Sequence, residues 1–194
     1  MARFVMALTG EVGAGKSTAA KWLAAKGATL LDADAIVREL WNGDLLRGLA
    51  RGHWGDAVFR EDGSIDKKAV ADRIFTDEGE YAWLCGITNP LVLGLMKAAL
   101  PENGVVVAEI PMLFEVGRPD WVDAVLFVAA DPARRAERNS YRGLDSAELA
   151  RRGKAFIDSD RRMAASDWVV VNDGTLDDLG AKLDAVWQKA LCKV

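Results

Sequence analysis

Two kinds of hydrophobic pattern alternate along the chain. Nearly unbroken apolar runs occupy residues 3–9, 28–32, 104–113, 121–131 and 167–173. Runs of this length, rich in β-branched side chains and bounded by glycine, asparagine or aspartate, read as strands buried on both faces. Between them lie stretches of helix formers. The first, "STAAKWLAAKG", runs from Ser17 and stops at Gly27, and a second helix begins near Asp34. "SIDKKAVADRIF" carries Asp66 as its cap, and "DEGEYAWLCGI" follows it. Asn89-Pro90 is expected to restart a helix that ends near residues 101–104. Asp131-Pro132 opens another, and Thr175 opens the last with Asp178 completing a capping box. Strands alternating with helices predict an α/β fold: a doubly covered, five-stranded parallel sheet with helices on both faces. Ligands of such sheets bind at the carboxyl ends of the strands. Residues 10–17, 32–34 and 111–115 each follow a predicted strand, so they are expected to gather along one edge.

Length and composition narrow the class. The 194 residues are 51% hydrophobic, enough for a substantial core, and suit one domain with an insertion. A net charge of −4 argues against a general nucleic-acid binder. Two isolated cysteines, Cys85 and Cys192, make no metal-type cluster and suggest a reducing, cytoplasmic setting. The apolar start "MARFVMALTG" is too short for a signal sequence or a membrane span. No membrane association and no obligate protein partner are expected.

The chemistry begins at "GEVGAGKS". Gly10, Gly15, Lys16 and Ser17 match the phosphate-loop pattern G-x-x-x-x-G-K-[ST] in full, between a predicted strand and a predicted helix. Glycines let such a loop curl until successive backbone N–H groups face phosphate oxygens, and the following helix adds the positive end of its dipole. ATP is therefore expected along Gly13, Ala14, Gly15, Lys16, Ser17 and Thr18. Lys16 suits the β- and γ-phosphates, and the Ser17 hydroxyl suits Mg²⁺. The competing view, a glycine-rich turn with a surface lysine, does not explain the complete match.

In "LLDADAIVREL", Asp32 and Asp34 stand two apart, which in extended geometry points both carboxylates the same way. One can accept a proton from an attacking hydroxyl, and the other can hold water on Mg²⁺. Asp34 as a plain helix cap is the alternative. Farther on, Arg134, Arg138 and Arg142 are spaced to share one helix face. Most arginines between residues 134 and 162 read as a solvated surface balanced by Glu137, Asp145 and Glu148. Arg138 and Arg142 are the two candidates for the site.

Together these segments resemble the dephospho-coenzyme A kinase family over nearly the whole chain. "ALTGEVGAGKST" is similar to the family's first strand and phosphate loop, and "LLDADAIVREL" to its acceptor-side aspartate motif. "GDAVFREDGSIDKKAVADRIF" resembles its helical insertion, "EIPMLFEVG" its third-strand segment, "ADPARRAERNSYRGLDSAE" its lid, and "ASDWVVVNDGTLDDL" its last strand and adenine-side turn. The resemblance implies a P-loop, nucleoside-kinase-like fold. It also implies ATP-dependent phosphorylation of the ribose 3′-hydroxyl of dephospho-coenzyme A, the last step of coenzyme A synthesis, with Mg²⁺ accompanying ATP. By the match, Asp34 is the base, Lys16 and Arg142 stabilise phosphoryl charge, and Asn172 and Gly174 lie near the adenine. From the residue reading, Asp32 is expected to hold the metal through water, beside Ser17. Asn89 falls at an acceptor-side contact, and Trp83, Leu84 and Leu91 are expected to line an apolar groove for the pantetheine arm.

The resemblance divides the single domain into a core (residues 1–34, 104–131 and 167–194), an acceptor region (35–103) and a lid (132–166). The chain departs from the family pattern at Glu11, in place of the loop's second glycine, and at Asn89, where histidine is usual. It also departs at Phe156, in place of a glutamine, and at Lys67 or Lys68, in place of an arginine. The rival readings are a P-loop kinase for a nucleotide, sugar acid or shikimate-type acceptor, and a nucleotide switch. The chain lacks the N-K-x-D motif of the common GTP switches. His53, the only histidine, lies far in sequence from every motif and reads as a packing or surface residue.

Overall fold

The computed structural model describes residues 2–140 and 157–194. Arg142 and Phe156 fall outside the described residues, as do Arg151, Arg152 and Lys154. Five strands form one parallel sheet: β1 (Arg3–Gly10), β2 (Thr29–Asp32), β3 (Gly104–Glu109), β4 (Ala124–Ala129) and β5 (Trp168–Val171), in the order β2-β3-β1-β4-β5. Register runs Arg3–Leu8 against Gly104–Glu109, Met6–Gly10 against Ala124–Val128, Thr29–Asp32 against Val106–Glu109, and Leu126–Ala129 against Trp168–Val171. The three inner strands are buried along almost their whole length, because both their faces are covered. The edge strands leave Leu30, Val169 and Val171 exposed.

The strands are joined and followed by helices α1 (Lys16–Ala25), α2 (Ala33–Asn42), α3 (Asp44–Trp54), α4 (Lys67–Ile74), α5 (Glu78–Ala98), α6 (Leu113–Val116), α7 (Pro132–Ser140), α8 (Ser159–Ala164) and α9 (Leu176–Leu191), with a 3₁₀ turn at Gly55–Val58. The β1–β3–β4 core packs Met6, Leu8, Val107, Leu126 and Val128 against Leu23 of α1 and Leu183 of α9. The capping signals hold. The Asp66 carboxylate accepts from the Lys68 and Ala69 N–H groups, and Thr175 and Asp178 form a reciprocal capping box.

The chain divides into two compact units, residues 1–32 with 96–194, and residues 33–95. The sheet lies in the first. In the second, Leu46, Ala50, Trp54, Val58, Val70 and Leu84 form a separate core. No helix among the described residues is long and apolar enough to cross a membrane.

Two boundaries differ from the sequence expectation. Asn89-Pro90 does not restart a helix, because α5 runs unbroken through Pro90. Proline removes one N–H from the helical ladder, a loss of about 3 kcal/mol in an unsupported helix. Leu84, Thr88, Val92 and Met96, four residues apart, form a fully buried stripe that holds α5 together across that gap. Similarly, the third strand ends at Glu109 rather than running on to residue 113, and its last part becomes a turn and the short α6.

Candidate active site

The phosphate loop joins β1 to α1. Gly15 takes a left-handed conformation at φ 102° as the N-cap of α1, where no side chain caps the helix and its first turn carries no acid. That end of α1 is open to an anion. A Cβ on Gly13 would stand 2.6 Å from Asn139 Nδ2 of α7, and one on Gly15 would stand 2.5 Å from Asn172 Nδ2. Both glycines therefore permit close approach as well as curvature. The Lys16 ammonium reaches back over the loop and donates to the carbonyls of Gly10 (3.2 Å) and Glu11 (3.0 Å).

Ser17 Oγ donates to Glu109 Oε1 at 3.3 Å. Glu109 ends β3, is 9% exposed, and is the register partner of Leu8 on β1 and of Asp32 on β2. Hydroxyl and carboxylate thus meet at the carboxyl end of the sheet, with the backbone of Asp32 on the adjacent strand. Sequence reasoning selected Asp32 and Ser17 and missed Glu109. The available signal was an acid closing a wholly apolar strand, "VVVAE". Asp32 and Asp34 do not share one extended segment, because the strand ends at Asp32 and α2 begins at Ala33. From Ala33 a helical backbone replaces the two-residue period that would have pointed both carboxylates the same way.

On the opposite flank, the Asn172 amide donates to the buried Ala14 carbonyl at 2.8 Å. Arg138 of α7 donates to the Asn172 carbonyl (3.0 Å) and to the Ala14 carbonyl (3.4 Å). A 390 Å³ cavity opens here, bordered by Gly13, Gly15, Thr18, Arg138, Asn172 and Gly174. Six of the expected ATP residues therefore gather around one cavity beside the loop. Arg138 holds the loop's carbonyls to the end of β5.

Glu11, the departure within the loop, turns out to be a junction. Its Oε1 accepts from Ser159 Oγ (2.9 Å) and pairs with Arg135 Nη2 (3.2 Å), and its Oε2 accepts from the Ala130 N–H (3.2 Å). Ser159 opens α8 and Arg135 sits on α7, so one carboxylate ties the phosphate loop to both described helices of the lid region. A 600 Å³ cavity lies alongside, bordered by Glu11, Arg135, Asn139, Ser159 and Arg162.

The acceptor-side candidates lie in the helical unit. Asp34 is the second residue of α2, two positions past the end of β2. Trp83, Leu84, Asn89 and Leu91 are on α5. Leu84 does not line an open groove, because it is buried in the unit's own core. Trp83 packs against that core and stacks on His53 at 3.9 Å, with Trp54 edge-on at 4.8 Å. His53 Nε2 lies 2.8 Å from Glu80 Oε2, which also accepts from the Trp54 indole N–H at 2.7 Å. These two bonds, Trp54's being the larger influence, hold the Glu80 carboxyl below the usual glutamate range. Asn89 and Leu91 are half-buried.

A sequence model described as dephospho-CoA kinase matches residues 4–178. The chain belongs to the dephospho-CoA kinase family. A dephospho-CoA kinase of Frankia casuarinae is 37% identical over 98% of this chain and 85% of its own length. One of Anaeromyxobacter dehalogenans is 38% identical over 93% and 89%. A crystal structure from Thermus thermophilus superposes with a TM-score of 0.83 at 31% identity, covering 97% of this chain and 98% of that one. A shikimate kinase of Acinetobacter baumannii shares only the fold, with a TM-score of 0.56 at 12% identity over 97% and 93%. Family membership makes the chain an ATP-using phosphotransferase, acting at the last step of coenzyme A synthesis.

Proposed function

We propose that the chain transfers the γ-phosphoryl group of ATP to the ribose 3′-hydroxyl of dephospho-coenzyme A, with the roles divided as follows. The observation that carries this reading is the open N-terminus of α1, flanked on one side by Lys16 and on the other by the Ser17–Glu109 pair. Lys16 is within its own reach of a polyphosphate seated on the loop, and exchanges its carbonyl contacts for the β- and γ-oxygens. The adenine lies in the cavity beside Asn172 and Gly174.

The donors around Ser17 are a hydroxyl and carboxylates, which are hard oxygen ligands suited to Mg²⁺. Among the described residues no three acidic, histidine or cysteine side chains make a cage. That fits an ion which keeps several waters and binds chiefly through substrate phosphates. Ser17 and Glu109 would hold it, with Asp32 through water. When bound, the ion neutralises charge on the phosphate oxygens.

Asp34 accepts the proton of the 3′-hydroxyl, and Arg138 and Arg142 balance charge from the lid side. The substrates are soluble metabolites, and a cytoplasmic enzyme working without nucleic acid or a membrane fits them. The test is ADP release with ATP, Mg²⁺ and a panel of acceptors that includes shikimate as well as dephospho-coenzyme A. Asp34→Asn keeps the side chain's size and removes the base. ATP affinity by calorimetry is expected to stay within a few-fold of wild type, while kcat falls roughly 10²–10⁴-fold. Normal turnover by Asp34→Asn would place the base elsewhere.

A further inference from the structure

The helical unit contains a 420 Å³ cavity that no residue assigned above uses. Three cations border it, and each comes from a different element. Arg47 is in α3, Arg60 is in the hairpin closed by the Phe59–Ile65 bridge, and Lys67 is the first residue of α4. Among the described residues, none of the three forms an ion pair with a carboxylate. Asp62, in the same hairpin, accepts from the Ser64 N–H (2.8 Å) and the Ser64 hydroxyl (2.6 Å), and the Arg60 charge acts on it without an ion-pair contact. The Asp66 carboxylate is engaged in capping α4.

Arg47 is fixed in the wall by a 2.6 Å bond from Nη2 to the Gly63 carbonyl, and its buried Nε has no acceptor. Buried donors of a charged group are seldom left without a partner. The half-buried Trp41 supplies a flat apolar flank, and Ser64 a neutral polar group. Cations that only solvate a surface point outward and apart. Here they converge on a concavity of small-molecule size, within the range of about 300–1,000 Å³ usual for ligand sites.

We propose that this cavity binds the phosphate groups of an organic phosphate ester whose planar or apolar portion lies against Trp41. Arg47 supplies the fixed, oriented donor, and Arg60 and Lys67 supply charge. Two sources share this chemistry. One is the acceptor, whose diphosphate joins adenosine to pantetheine; this arm rests on the function proposed above. The other is a separate nucleotide acting on the enzyme from outside the reaction.

Inorganic pyrophosphate is the probe, titrated calorimetrically into the full chain with ADP and Mg²⁺ at saturation so that the phosphate loop is already filled. Wild type is expected to bind it at one site, and the double variant Arg60→Ala/Lys67→Ala to bind at least tenfold more weakly. Both side chains are exposed, so the fold should be retained, and circular dichroism checks this. If the KM for dephospho-coenzyme A rises in parallel while the KM for ATP stays put, the acceptor is the ligand. Weakened pyrophosphate binding with both KM values unchanged supports the separate nucleotide. Wild type that binds no pyrophosphate beside ADP, or a double variant that binds it as well as wild type does, overturns the site. Because the titration needs no turnover, it stands apart from failure of the proposed reaction, which wild-type ADP release reads directly.

Discussion

Replacing Glu11 with alanine removes one carboxylate that serves three donors on three segments: Ala130, Arg135 and Ser159. The Glu11 side chain is 11% exposed and that of Arg135 is 26% exposed, so water rehydrates the arginine only in part after the change. A hydrogen bond to a charged group contributes about 1.5–3 kcal/mol, but three on one carboxylate do not add. Arg135 also keeps its bond to the Ala130 carbonyl. A loss of about 2–3 kcal/mol follows for Glu11→Ala, or a Tm lowered by roughly 4–12 °C for a chain of this size. A double-mutant cycle with Arg135→Ala isolates the ion pair, because the Arg135–Ala130 bond is lost in both arginine variants and cancels. A coupling of about 1 kcal/mol is expected, toward the upper end for pairs that retain some exposure. Thermal unfolding of the four proteins gives the number. Additivity within about 0.3 kcal/mol would refute the claim that Glu11 ties the phosphate loop to α7.

Lys16→Ala should fold normally and lose kcat by several orders of magnitude, since Lys16 is the loop's own cation and its ammonium already lies over the loop carbonyls; turnover near wild type in an ADP-release assay would remove the lysine from the chemistry. Gly15→Ala places a methyl against the Asn172 amide, which is held by the buried Ala14 carbonyl, and requires a left-handed backbone. A combined loss of roughly 2–4 kcal/mol is expected from denaturant unfolding, together with weakened ATP binding, and unchanged values for both would refute the packing argument. Because the folded Glu80 carboxyl is held below its unfolded value, its contribution is complete above the ordinary glutamate range near about 4.3 and fades as pH falls through the folded value. Unfolding midpoints followed down through this acid range should therefore decline more steeply for wild type than for Glu80→Gln, and parallel curves would contradict the assignment.

Features carried by adjacent residues were legible in the sequence. The phosphate loop, the five strands, the Asp66 cap and the Thr175–Asp178 box all depend on spacing along one segment, and all appear in the structure. What escaped depends on residues brought together by folding. Glu109 gains meaning only because β3 lies beside β1, so that its carboxylate meets Ser17, 92 positions away. Leu84 looked available for an acceptor groove because α5 is apolar on more than one side, and only the packing of α3 and α4 shows which side is consumed by the core. Pro90 is a local signal that was outvoted by the buried stripe from Leu84 to Met96. The Asp32–Asp34 alignment failed by a single residue, at the point where strand becomes helix.

The loop's glycines also separate into those the structure requires and one it does not. Positive φ occurs at Gly10, Gly13 and Gly15, and at no residue other than glycine among those described. Position 11 therefore has a backbone conformation open to any side chain, and a glycine there would be a convenience of flexibility. Gly13 and Gly15 have no such latitude, because α7 and the turn after β5 press against them. A chain that places glutamate at position 11 gives up none of the curvature that cradles phosphate, and the Lys16 ammonium still reaches the carbonyl of that residue. It gains a carboxylate engaged by Arg135 and Ser159. The negative charge is neutralised where it stands by Arg135, so the positive end of α1 survives a substitution that the bare motif would read as harmful.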